Sequence, residues 1–161
     1  MPLAPHQLGT YFALSEAVNL LQHAVEQQLR AEGDLSLIQF ELLARLADAG
    51  RLSMTELADG VVYSRSGLTY QAGLLEKAGL ITREPSPDDE RATLVTITPD
   101  GLERVQRVLP GHVEIVSRML FSPLTEQDTA ELGDIMTRVR DHMRASPPRS
   151  SIRKRKARDS R

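Results

Sequence analysis

The chain has 161 residues, 40% of them apolar and 26% charged, a balance that builds one cored domain, or a domain with a helical appendage, and excludes a disordered chain. It contains no Cys, so a disulfide framework, a thiolate zinc site and a cysteine nucleophile are excluded. The net charge of −2 is a sum of opposites: residues 149–161 hold seven Lys or Arg and one acid (+6), and the other 148 residues hold 13 bases and 21 acids (−8), an asymmetry that points to a polyanionic partner.

Residues 8–31 are predicted helical. Leu8, Phe12, Leu14, Val18, Leu21, Val25 and Leu29 recur at steps of three and four, and Tyr11, Leu20 and Ala24 widen the stripe, so the helix should bury more than one flank. Asp34 and Gly33 break it. A second helix starts at Ser36, where Ser36-x-x-Gln39 is a capping box, and its stripe is Leu37, Phe40, Leu43, Ala44 and Ala47. A third, short helix follows Ser53-x-x-Glu56, a second capping box, and stops near Gly60.

A fourth helix is predicted from about Ser64 to Ala78. Leu68, Ala72 and Leu75 form its buried stripe, and Gly79 suits a left-handed C-cap. The period then changes. Leu80–Glu84 and Arg91–Thr98 read as two strands around the turn-rich Pro85–Glu90, a β-hairpin. Thr98-Pro99 opens a long helix to about Leu120, with Pro110 expected to kink it. A last helix runs from about Thr125 to residue 145. Residues 146–161 are basic and poor in apolar side chains, which predicts disorder.

Two short helices followed by a hairpin make a winged helix-turn-helix. The first helix of the pair braces the second, which can lie in the DNA major groove. With Leu68, Ala72 and Leu75 inward, the helix turns Arg65, Ser66, Thr69, Tyr70 and Gly73 outward. These are one Arg, an aromatic hydroxyl and short hydrogen-bonding groups suited to base edges and phosphates.

The segments Ser53-x-x-Glu56-Leu57-Ala58, Ser64-Arg65-Ser66-Gly67-Leu68-Thr69 and Leu74-Leu75-Glu76-Lys77-Ala78-Gly79-Leu80-Ile81 resemble the MarR family of bacterial transcription regulators. Arg83–Pro87, Asp88-Asp89-Glu90-Arg91-Ala92 and Leu94–Gly101 look like that family's wing and its exit, and the similarity covers roughly residues 8–144. The resemblance implies a mostly α fold with a small β-hairpin wing. Residues 8–145 would be the winged helix-turn-helix domain, with the helix-turn-helix at 53–78, the wing at 80–98, and dimerisation helices at 8–31, 99–120 and 125–145. It implies a homodimer on a pseudo-palindromic double-stranded site. The DNA-binding residues would be Ser64, Arg65, Ser66, Thr69 and Tyr70 on the recognition helix and Arg91 on the wing, with Asp89 supporting Arg91. Tyr70 and Leu74 stand where the family often has Arg, and Glu90 where a second wing Arg is frequent, so the DNA-facing surface is less basic than usual.

The resemblance also implies a small aromatic or phenolic effector between the dimerisation helices and the DNA-binding lobe. That cleft would draw on Tyr11, Phe12, Phe40 and His112, which equally suit a core. The function expected is a sequence-specific transcription regulator, a repressor released by an effector. The alternative is an architectural or non-specific DNA binder driven by the basic tail.

Other classes find no support. There is no P-loop, G-x-G-x-x-G or G-x-S-x-G, so no enzyme, cofactor or catalytic site is expected. The four histidines lack metal-ligand spacing, so no metal is expected. No apolar run nears the roughly 20 residues that span a bilayer. The N-terminus MPLAPHQLGTYF lacks a signal-peptide pattern, so a cytoplasmic protein is expected.

Overall fold

A computed structural model describes residues 2–61, 65–87 and 92–145, with Arg65 described in its backbone alone. Ser64, Asp89, Arg91 and the basic tail at 146–161 lie outside the described residues. The chain divides into two compact units, Met1–Met119 and Leu120–Arg161.

The first unit runs α1 (Pro5–Gly33), α2 (Leu37–Ala49), β1 (Arg51–Ser53), α3 (Met54–Gly60), α4 (Arg65–Lys77), β2 (Ile81–Pro85), β3 (Thr93–Ile97) and α5 (Pro99–Val116). Each start follows local chemistry. The Ser36 hydroxyl accepts from Gln39 N at 3.2 Å and the Gln39 side chain accepts from Ser36 N at 2.9 Å, closing the expected capping box. At Asp34 the chain turns left-handed (φ 50°) to end α1. Gly79 takes φ 75°, the cap expected after α4.

The core is a single cluster. Leu29 of α1, Leu42, Leu43 and Leu46 of α2, Leu57 of α3, Leu68 and Leu75 of α4, Ile81 and Val95 of the strands and Val108 of α5 are all fully buried. The α1–α5 seam also carries buried polar bonds. The Gln28 amide donates to Val108 O at 2.9 Å, and Arg104 donates to Gly33 O at 2.6 Å. Burial of α1 is confined to its second half. Leu8, Tyr11, Phe12, Leu14, Val18 and Leu20 are exposed in this chain, against the expectation that both flanks of the helix bury. The long apolar stripe was legible, but its partner is not this chain's own core.

The wing has three strands rather than the two expected. β3 lies between β1 and β2, antiparallel to both, with Leu52 opposite Val95 and Arg83 opposite Val95 on the other side. Arg51–Ser53 is too short to show a period of two, so the edge strand left no pattern to read. At the exit, Thr98 Oγ1 accepts from Gly101 N at 3.0 Å and donates to Gly79 O at 2.7 Å. Gly101 is needed here because an added Cβ would lie 2.1 Å from the Leu80 carbonyl oxygen. α5 continues through Pro110, whose ring removes one helical donor, and passes into a π-helical turn at Ser117–Phe121.

The second unit holds α6 (Glu126–Ala145). Thr125 and Asp128 cap it reciprocally: Thr125 N donates to Asp128 at 2.9 Å, and Asp128 N to Thr125 Oγ1 at 3.1 Å. The Thr125 hydroxyl also donates to the Asp128 carboxylate at 2.6 Å, and that bond, with the one from Thr125 N, holds the carboxyl below the usual carboxylate range. Ile135, Val139 and Met143 form an exposed apolar row on α6. Among the described residues, no helix is long and apolar enough to cross a membrane.

Candidate nucleic-acid interface

The helix-turn-helix is assembled from α3 and α4. Ser53 caps α3: its hydroxyl accepts from Glu56 N at 3.2 Å, and Glu56 accepts from Ser53 N at 2.7 Å. Those bonds from Ser53 lower the Glu56 carboxyl below its ordinary range, so the cap stays charged. Leu57 anchors α3 in the core, and the Arg45 guanidinium of α2 donates to the Gly60 carbonyl at its far end. The short helix is therefore held at both ends before the chain turns into α4.

α4 is seated by Leu68, Ala72 and Leu75, each 1% exposed, as their i, i+4, i+7 spacing requires. The opposite face is presented outward. Ser66 and Thr69 are exposed, Tyr70 is 65% exposed, and Arg65 opens the helix. Four of the six DNA-binding residues expected from the sequence thus lie on α4. Ser64 and Arg91 fall outside the described residues, as does Asp89. Leu74 adds an exposed apolar side chain to this helix. Gln71 is half-buried, and its Oε1 is buried without a partner among the described residues.

Basic residues around the motif divide by what they touch. In the wing, Arg51 donates to Thr96 Oγ1 at 3.2 Å and pairs with Glu84 at 3.2 Å. Arg83 pairs with Glu76 at the end of α4 through three bonds, from its N, Nε and a terminal nitrogen, at 3.1, 3.0 and 2.6 Å. This pair lowers the Glu76 carboxyl below its usual range. Counting charges along the sequence treats both arginines alike as DNA-ready. Only their placement reveals their acidic partners.

The aromatic set expected for an effector does not converge. Tyr11 and Phe12 lie against each other with their rings tilted by 55°, centroids 5.4 Å apart, and are 57% and 59% exposed. Phe40 is buried against His112, with centroids 4.7 Å apart. A groove of 810 Å³ runs between α1, α2 and the end of α3. Of the four expected residues it uses Phe40 alone, beside Gln22, Glu26, Leu37, Glu41 and Arg45. Burial raises the Glu41 carboxyl above its ordinary range, against the pull of Arg45. Glu41 and Arg45 are a charged i, i+4 pair on α2 that lines this groove, and an expectation built on aromatic content does not include them.

His112 has its own consequence. Burial lowers its pKa from the ordinary 6.5, and its Nδ1 is buried without a partner among the described residues. The unfolded chain therefore binds a proton here before the folded chain does. Stability is fully present above about pH 6.5 and falls as pH drops below it. Melting temperatures measured from pH 8 to 5 should show a steeper acid-side fall for the wild type than for His112→Gln. Identical profiles would show that His112 titrates as it does in water. Among the described residues, no three His, Asp or Glu gather as a metal site.

A sequence model of the MarR family matches residues 33–92. The crystal structure of Sco3205, a MarR family transcriptional regulator from Streptomyces coelicolor in complex with DNA, is 32% identical, with a TM-score of 0.85, and covers 89% of this chain and 91% of that one. The chain belongs to the MarR family. Among other relatives, the HTH-type transcriptional regulator PecS of Dickeya dadantii is 29% identical over 129 residues, 78% of this chain and 77% of PecS. The transcriptional repressor YetL of Bacillus subtilis is 28% identical over 137 residues, 82% of this chain and 81% of YetL. These relatives are transcriptional regulators rather than enzymes. The MarR winged helix-turn-helix in this chain is the α3–α4 pair with the β1–β3–β2 wing.

Proposed function

We propose that this MarR-family regulator is a homodimeric, sequence-specific binder of double-stranded DNA that represses transcription in the cytoplasm. The observation that carries the reading is α4: a helix locked by Leu68, Ala72 and Leu75 that turns Ser66, Thr69 and Tyr70 outward beside a hairpin wing. The likeness to Sco3205, crystallised with DNA, supports it, and the naming of YetL as a repressor supports the sign of regulation. The exposed apolar stripe of α1 supports the homodimer.

Arg65, Ser66, Thr69 and Tyr70 are assigned to the major groove with Ser64, and Arg91, supported by Asp89, to the neighbouring minor groove. Arg65→Ala should cost about 1–3 kcal/mol of binding and relax the preference at one base position. Gel-shift titrations on a bound site and its single-base variants measure this. An equal loss on every sequence would reduce Arg65 to a phosphate contact.

A small-molecule effector is assigned to the groove between α1, α2 and α3. Its walls include Arg45, whose hold on Gly60 steadies the helix-turn-helix, so a ligand that favours one position of Arg45 shifts DNA affinity by its differential binding.

One observation favours a second reading. The +6 charge of residues 149–161 could dominate binding and make it non-specific. Deleting Arg149–Arg161 separates the two. A specific regulator keeps its site preference and loses salt-dependent affinity. A tail-driven binder loses nearly all binding.

A further inference from the structure

We infer that Glu76 and Arg83 are positioning residues for DNA recognition: their ion pair fixes the wing against the recognition helix, and Arg83 is not a phosphate contact. The inference rests on the DNA-binding reading above. α4 ends at Lys77 and β2 begins at Ile81, so only Ala78-Gly79-Leu80 connects them. That link bends at Gly79, left-handed, where Gly79 N donates to Glu76 O and Leu80 N to Leu75 O, both at 2.9 Å, and Thr98 Oγ1 donates to Gly79 O at 2.7 Å; these bonds hold the link but none reaches the side chains of β2. Leu75, Leu80 and Ile81 supply the apolar part, which is non-directional.

The Glu76–Arg83 pair adds a directional contact from the helix to the strand itself. One carboxylate oxygen accepts from the Arg83 backbone N–H at 3.1 Å, and the other accepts from Nε at 3.0 Å and from a terminal guanidinium nitrogen at 2.6 Å. A strand backbone and its own side chain are thus gripped by a single helical carboxylate. The grip needs the planar fork of arginine; lysine would keep the charge and lose the geometry. The guanidinium passes beside Gly73, where an added Cβ would sit 3.9 Å from it, so it runs along α4 rather than away into solvent. Both side chains are only partly exposed, 26% and 38%, which limits screening of the pair by water.

The two roles for Arg83 predict different things. A phosphate contact needs only positive charge, acts alike on every sequence and adds about one to the salt slope. A positioning residue needs the fork and acts on the preference for a specific site. The test uses the full chain as wild type, Arg83→Lys and Glu76→Gln. Each is titrated against a duplex carrying the site recovered by selection from random DNA, and against a random duplex of the same length, across a salt series.

Both variants should lose roughly tenfold in the specific-to-random ratio. Arg83→Lys should keep the wild-type salt slope, and Glu76→Gln should lose preference even though it removes an acid near DNA. A partly unfolded variant weakens binding to both duplexes by one factor, which cancels in the ratio. A ratio kept within about twofold by either variant overturns the inference while leaving the regulator reading intact. A wild type with no preference overturns the regulator reading, and this inference with it.

Discussion

Leu75→Ala should lower stability by about 2–5 kcal/mol, the range for a leucine removed from a closed core. For a chain of this size that is a fall of roughly 5–20 °C in melting temperature. Leu75 is 1% exposed and belongs to the cluster that joins α4 to the first wing strand and the rest of the core. Truncating it leaves a cavity beneath the recognition helix, so DNA affinity should fall with the folded fraction. Tyr70→Ala is the control. Tyr70 is 65% exposed on the same helix, so its removal should change stability by less than about 0.5 kcal/mol while weakening DNA binding. Calorimetry and gel shifts on both variants separate the two faces of α4. A Leu75→Ala protein that melts with the wild type would mean that α4 is not seated on this stripe.

Phe12→Asp should convert the protein to a monomer and abolish its gel shift at concentrations that saturate the wild type. Leu8, Tyr11, Phe12, Leu14, Val18 and Leu20 leave the first half of α1 exposed in the single chain, an apolar stripe of the kind that marks an interface. In a two-fold dimer each substitution acts twice and buries two unpaired carboxylates. A monomer also loses the second half-site, and with it most of its affinity. Phe12 is 59% exposed in its own chain, so circular dichroism should stay native. Light scattering reads the mass. A dimer that survives Phe12→Asp places the interface away from this half of α1.

The parts of the fold that were legible are those that local chemistry decides. Two capping boxes, the left-handed Gly79, the Thr98-Pro99 start of α5 and the α4 stripe follow from a few neighbouring residues, and the structure has all of them. The third strand was illegible because Arg51–Ser53 exists only through its pairing with β3. The α1 stripe was legible as a stripe, but periodicity gives a helix a buried face without saying which molecule buries it.

The same limit divides the site. The outward face of α4 follows from its inward one, so Ser66, Thr69 and Tyr70 could be read directly. The effector residues depend on contacts between helices, which periodicity does not give: within the chain Tyr11 and Phe12 pair with each other, and Phe40 pairs with His112. Arg83 is a bare cation in the sequence, and only the fold gives it three bonds to Glu76.

Sequence-specific binding by a two-fold dimer is tested most directly by selecting bound duplexes from a random library at about 0.15 M salt, near the physiological range. The expected result is an inverted repeat whose half-site centres lie about one helical turn apart, near 34 Å, with the strongest preferences inside each half. A library that emerges without a shared motif, or with one that has no two-fold symmetry, would contradict it.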